Sequence, residues 1–134
     1  MKTITVKTNS REQLLDVTSE IQQAINYSPH DAGFVFCFVP HTTAAITINE
    51  NADPDVKRDI IYKLNKEFPM QDGYHHAEGN SDAHLKASLI GFSEQILFEN
   101  KKLVLGTWQG IYFCEFDGPR NRKLIIKVVP FAES

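Results

Sequence analysis

The fold is decided by one stretch, Gly33-Phe34-Val35-Phe36-Cys37-Phe38-Val39-Pro40-His41. Residues 34–39 are apolar at both odd and even positions. A strand with one face in water alternates apolar and polar side chains. This run therefore predicts a strand buried on both faces, in the centre of a sheet. Pro40 ends the strand and places His41 directly after a core element.

Strand and helix patterns continue on both sides of this central strand. Alternating or apolar runs predict strands at 3–7, 13–17, 45–49, 95–98, 102–105, 108–116 and 124–129. Ser19, with Gln22 completing a capping box, predicts a first helix, and Asp53-Pro54 predicts a second. A short third helix starts at residue 81 or 82. The order β-β-α-β-β-α, followed by the short helix and more strands, is typical of an α+β fold.

Three local patterns add detail to this outline. Leu85, Leu89 and Phe92 are spaced to share one apolar face of the third helix. Residues 99–101 predict a hairpin turn, and residues 117–120, Asp-Gly-Pro-Arg, predict a second hairpin that joins the last two strands.

Length and charge limit the class of protein. The chain has 134 residues, with 14 basic and 17 acidic side chains and a net charge of −3. We therefore expect a single domain over residues 1–134 with no nucleic-acid partner. No apolar run approaches a membrane span and the alternating N-terminus is unlike a signal peptide, so we expect a cytoplasmic protein without a membrane partner. Cys37 and Cys114 lie in apolar runs and are expected to be buried thiols.

Titratable side chains stand where strands and helices end. His41 follows the central strand, while His76 and His84 lie near Glu78 in the sequence, and histidine serves both proton transfer and metal binding. Taken alone, each of these histidines could equally be a surface or capping residue without a functional role. Glu115 shares a strand face with Ile111 and Phe113, so its carboxylate is expected to be paired, with Arg120 as one candidate, or functional.

Polar groups that suit an anion are scattered along the chain, without a phosphate-binding glycine loop. The candidates are Thr42, Thr43, Lys86, Thr107, Arg120 and Arg122. Asn49 and Glu50 stand where a strand leaves the core, a place that often carries function. Trp108 and Gln109 lie between two glycines, where a ligand can approach the backbone, although a packed tryptophan beside a bulge explains them equally well.

Three stretches together resemble the YjbQ-like family, also called the secondary thiamine-phosphate synthase family. They are residues 41–53, residues 74–86, and residues 105–120 with Glu115 among them. The resemblance covers nearly the whole chain. It implies a subunit of two β-sheets with helices, a β-sandwich, assembled as a homotrimer.

The resemblance also implies an activity, that of a transferase. The reaction couples a pyrimidine methyl diphosphate to a thiazole phosphate and releases diphosphate. The resemblance implies catalytic roles for His41 and Glu115, and a divalent metal, Mg or Zn, held by His76, Glu78 and His84. It implies that Thr42, Thr43, Trp108 and Gln109 contact the small phosphorylated or heterocyclic substrate. From their own chemistry and positions, Glu50 is added to the catalytic residues, and Asn49, Lys86, Thr107 and Arg120 are added to the substrate contacts. The alternative is a non-catalytic trimer that binds a metal ion or small metabolite, and a purely structural trimer is a third reading.

Overall fold

The computed structural model describes residues 1–132 and contains three helices and eight strands within that range. The strands are β1 (Lys2–Lys7), β2 (Gln13–Asp16), β3 (Gly33–Phe38), β4 (Ala44–Glu50), β5 (Ser93–Glu99), β6 (Lys102–Leu103), β7 (Gln109–Glu115) and β8 (Asn121–Pro130). The helices are α1 (Thr18–Tyr27), α2 (Pro54–Glu67) and α3 (Ser81–Ile90). This order confirms the expected α+β class.

Two antiparallel sheets form the body of the protein. The larger sheet has the strand order β1-β8-β3-β5-β6, and the smaller has the order β2-β7-β4. The predicted central strand is confirmed, because β3 pairs with β8 on one side and β5 on the other. Apolar side chains from both sheets and from α1 form one core, which includes Ile21, Val35 and Phe113.

A second apolar cluster lies on the other face of the smaller sheet. There α2 and α3 cover Tyr112, Cys114 and Phe116. The predicted apolar face of α3 is wrong, because Leu85 and Leu89 are 43% and 65% exposed. The helix instead buries two alanines together with a charged pair that is described below.

The helix starts were predicted with mixed success. Asp53 caps α2 as expected, since its side chain accepts a hydrogen bond from the Asp55 backbone N–H at 2.9 Å, and Pro54 is the first helical residue. The capping box at Ser19 is wrong. Helix α1 begins one residue earlier, at Thr18, whose backbone N–H and hydroxyl both donate to Asp16 Oδ1.

One of the two predicted hairpins forms. Strands β5 and β6 pair around Asn100 and Lys101, whose positive φ angles of 52° and 60° suit a tight two-residue turn. The hairpin at residues 117–120 is wrong, because β7 and β8 belong to different sheets. That connection crosses from one sheet to the other, which places its side chains at the end of the sandwich.

Both cysteines are buried and free, as expected. Burial raises the pKa of the Cys37 thiol to about 12 and that of Cys114 in the same direction. These thiols are therefore protonated near neutral pH. None of the helices in residues 1–132 is long and apolar enough to cross a membrane.

Candidate functional site

A polar groove of about 410 Å³ opens at one end of the sandwich. Two connections between the sheets lie side by side there, because β3 continues into β4 through residues 39–43 and β7 continues into β8 through residues 116–120. The start of α3 forms the third wall. The residues that line the groove are Pro40, His41, Thr42, Thr43, Glu78, Asn80, His84, Asp117, Arg120 and Arg122. The groove thus brings together predicted site residues from all three sequence stretches.

An ion pair between the sheets forms the base of this end. Glu115, fully buried, accepts hydrogen bonds from Arg122 Nε (2.8 Å) and from Arg122 Nη2. Thr8 Oγ1 donates to the same carboxylate at 2.8 Å, and the Asp117 backbone N–H donates at 3.0 Å. Burial alone would raise the pKa of the Glu115 carboxyl, but these hydrogen bonds outweigh it and hold that pKa below its usual value.

This arrangement accounts for the odd carboxylate on β7. The expected pairing of Glu115 is confirmed, although its partner is Arg122 and not Arg120. Arg122 also donates from Nη2 to Thr43 Oγ1 at 2.8 Å, which ties the β3–β4 connection to β8. Glu115 lies below the groove and does not line it, so its carboxylate shapes the site from beneath.

Arg120 faces the groove and is held from one side. Its Nε donates to the Asp117 carbonyl oxygen at 2.7 Å, and its Nη2 donates to Asp117 Oδ2 at 3.1 Å. The Arg120 side chain is 54% exposed. The guanidinium is therefore oriented, with donors left over for a molecule in the groove.

His41 has a defined hydrogen-bonding role at the rim. Its Nε2 accepts a hydrogen bond from the Lys123 backbone N–H at 2.8 Å. Since a backbone amide can only donate, Nε2 carries no proton and the neutral ring bears its hydrogen on Nδ1. Burial, followed by the nearby Arg122 charge, lowers the pKa of His41. His41 is thus a neutral N–H donor near pH 7.

The residues expected to bind a metal lie close together but do not form a closed site. The His76 and His84 rings meet edge to face with centroids 5.5 Å apart, and His76 Nε2 lies 3.7 Å from Glu78 Oε2. In the part of the chain that the structure describes, no group of three or more His, Cys, Asp or Glu side chains could hold a metal ion. The three-ligand arrangement is thus not assembled within residues 1–132, and metal binding stays a prediction.

Lys86 does not face the groove, contrary to its expected contact with substrate. Its side chain is fully buried and donates to Glu12 (3.0 Å), Asn65 (2.6 Å) and Asp82 (2.9 Å). Arg11 adds two hydrogen bonds to the same Asp82 carboxylate. Burial would raise the pKa of Asp82, but Arg11 and Lys86 hold it below its usual value. This network fixes α3 against α2 and the β1–β2 connection.

The remaining candidates lie at the opposite end of the β4–β7 pair. Register pairs Ala44 with Glu115 at the groove, and Glu50 with Gln109 at the far end. Seven residues of β7 separate the two ends, roughly 20 Å at the usual rise of a strand. Within one chain the two sets therefore do not meet in one site, and the roles expected for the far set stay predictions. The separated residues are Asn49, Glu50, Thr107, Trp108 and Gln109.

Two groove residues, Asn80 and Asp117, were not among the site residues expected from the sequence. Asp117 was treated only as a turn residue, and its position in the 105–120 stretch was the available signal. Arg122, an expected anion contact, does line the groove, but it lies with Leu124 and Ile126 on the inner face of β8, where its charge is paired with Glu115. Asn80 stands at the N-terminus of α3 and carried no distinctive signal.

Comparison with known proteins places the chain in a family. Residues 2–130 match the family described as "UPF0047 protein YjbQ-like". The chain belongs to this family. The UPF0047 protein MJ1081 of Methanocaldococcus jannaschii is 53% identical over 92% of this chain and 90% of its own length. The UPF0047 protein YugU of Bacillus subtilis is 46% identical over 96% of this chain and 98% of its own length.

A solved structure agrees with the fold. The crystal structure of a YjbQ/UPF0047 family protein from Clostridium acetobutylicum superposes with a TM-score of 0.95 at 54% identity, covering 96% of this chain and all of that one. It supports the α+β architecture with two antiparallel sheets.

The comparisons correct the expected function. The family description and the names of these two relatives carry no activity, and the Clostridium acetobutylicum protein is described as an uncharacterized conserved protein. The expectation of a thiamine-phosphate synthase is therefore wrong, because family membership brings no such activity with it.

Proposed function

We propose that this chain binds a small molecule through a phosphate or similar oxyanion group seated in the groove. The observation that carries the proposal is the convergence of His41, Thr42 and Arg120, from two adjacent connections between the sheets, around one opening. The groove volume of about 410 Å³ lies within the range of small-molecule sites.

Donors in the groove suit an oxyanion. His41 offers Nδ1–H, and Thr42 is an exposed hydroxyl. Arg120 offers the donors that Asp117 does not use, with a guanidinium geometry that matches phosphate oxygens. Arg120 is paired with Asp117, and Arg122 is paired with Glu115. The groove therefore attracts an anion by directed hydrogen bonds and carries no large excess of positive charge.

Calorimetric titration with inorganic phosphate tests the proposal. We expect saturable binding that Arg120→Met weakens by about 10-fold or more, because a charge-assisted hydrogen bond is lost. Arg58→Met is the matched control, since Arg58 forms a similar i,i+3 pair with Asp55 on the exposed side of α2. Equal binding by parent and Arg120→Met would refute the assignment of the groove.

We further propose that copies of the chain assemble through the outer face of the larger sheet. Register places Phe34 beside Leu97 and Val129, and Phe38 beside Ile125. With Phe36, whose neighbours on this face are Gln95 and Lys127, these residues form a largely apolar surface on which no side chain is buried. A patch of this kind on a small protein is typical of an association surface. The resemblance to a trimeric family supports three copies.

Light scattering after size exclusion measures the assembly. The parent is expected to have three times the monomer mass, and Phe36→Lys is expected to shift it toward the monomer. Tyr62→Lys, on the exposed side of α2, is the control and leaves the mass unchanged. A monomeric parent would overturn the proposed assembly.

A further inference from the structure

The groove contains hydrogen-bond acceptors as well as donors, and two acceptor oxygens on one wall have no donor among the described residues. Asp117 Oδ2 accepts from Asn80 Nδ2 (2.9 Å) and from Arg120 Nη2 (3.1 Å). Within residues 1–132 no donor reaches Asp117 Oδ1. Asn80 Oδ1 is a buried acceptor that also has no partner among the described residues. This wall of the groove is therefore short of donors.

The Asp117 carboxylate is held rigidly, unlike the other acid in the groove. Its side chain is 17% exposed and fixed by two donors, whereas the Glu78 side chain is 74% exposed. A carboxylate fixed in this way cannot turn away from a ligand that lies against Arg120. An oxyanion without a proton would set its negative oxygen against this carboxylate, which is unfavourable.

We propose that the groove selects an oxyanion that carries a proton, with Asp117 Oδ1 accepting the hydrogen bond from that P–OH group. Arg120 and His41 then donate to the remaining oxygens of the same group. The inference rests on the proposed oxyanion site and adds its specificity. Phosphate keeps at least one proton at pH 7, whereas sulfate of the same shape and size has none.

Titration of inorganic phosphate and of sulfate at pH 7 and equal ionic strength tests the selectivity. The parent is expected to bind phosphate about 10- to 100-fold more tightly than sulfate, the range for one hydrogen bond to a charged group. Asp117→Asn replaces the acceptor with an amide that can donate, so this ratio is expected to fall to about 3 or less. Asp55→Asn, which alters the matched pair on α2, keeps the parent ratio.

Each outcome decides between the two proposals. Sulfate binding as tight as phosphate in the parent would overturn the protonated-oxyanion inference and leave the oxyanion site standing. Binding of neither anion would overturn the oxyanion site itself. Asp117→Ser removes the carboxylate and adds no bulk, so it provides a second variant if Asp117→Asn fails to fold. If Asp117→Ser keeps the full selectivity for phosphate over sulfate, the inference is overturned as well.

Discussion

The buried Glu115–Arg122 pair gives the strongest prediction about stability. Glu115→Gln keeps the shape of the side chain but removes its charge and sets an amide against the Arg122 guanidinium. Arg122 is only 4% exposed, so its charge cannot turn to water. Removing one partner of a buried pair costs about 3–5 kcal/mol.

This free energy converts to a measurable shift. With an unfolding entropy of roughly 2.1 cal/mol/K per residue, each kcal/mol lowers the Tm of a chain of this length by about 3.5 °C. The expected drop for Glu115→Gln is therefore about 10–18 °C. Thermal unfolding followed by far-UV circular dichroism measures it, with a two-state fit.

Two further variants show whether the charge is the cause. Glu67→Gln alters an exposed i,i+4 pair with Lys63 and is expected to change the Tm by about 1–3 °C at most. The double variant Glu115→Leu with Arg122→Met removes both charges, and we expect it to recover at least part of the loss. A drop below about 3 °C for Glu115→Gln would show that the buried charge adds no more than an exposed pair does.

The buried Lys86, the two buried carboxyl groups and the His41 ring can each be tested. Lys86→Met leaves the buried Asp82 carboxylate without one of its cations, so we expect the free energy of unfolding in chemical denaturation to fall by about 3–5 kcal/mol. Lys63→Met, at an exposed ion pair, is the control and is expected to be nearly neutral. Equal denaturation midpoints for the two variants would contradict the buried network. The pKa values of Glu115 and Asp82 in the folded protein lie below their ordinary values of 4.5 and 3.8. The two ionised carboxylates therefore stabilise the fold fully above the ordinary pKa values, and this stabilisation is lost as the pH falls through the folded-state pKa values. Tm should therefore fall below about pH 4.5, less steeply in Glu115→Gln, and a flat profile to pH 3 would be inconsistent with the depressed values. Long-range ¹H–¹⁵N spectra at pH 7 should show the His41 proton on Nδ1, and a proton on Nε2 would exclude the bond from the β8 amide.

Features set by local pattern were predictable from the sequence. The run 34–39 identified the central strand because burial on both faces leaves a continuous apolar pattern. Asp53-Pro54 identified the start of α2 because both residues act on the first turn alone. His41 was placed correctly after the central strand, because the apolar run stops at Pro40.

Features that depend on distant partners were not predictable. Lys86 takes its three acceptors from α2, α3 and the β1–β2 connection, so its burial has no local signature. The partner of Glu115 was misidentified because the turn at 117–120 leads into the other sheet. The separation of Trp108 from His41 was within reach, since a strand predicted at 108–116 already puts Trp108 and Glu115 far apart.

Amide chemical-shift mapping with inorganic phosphate shows where the anion binds. If it binds in the groove at the end of the sandwich, the amides in residues 41–43, 78–84 and 117–122 are perturbed and the amides of residues 106–109 are unchanged. Perturbations confined to residues 106–109, or none at saturating phosphate, would contradict binding in the groove.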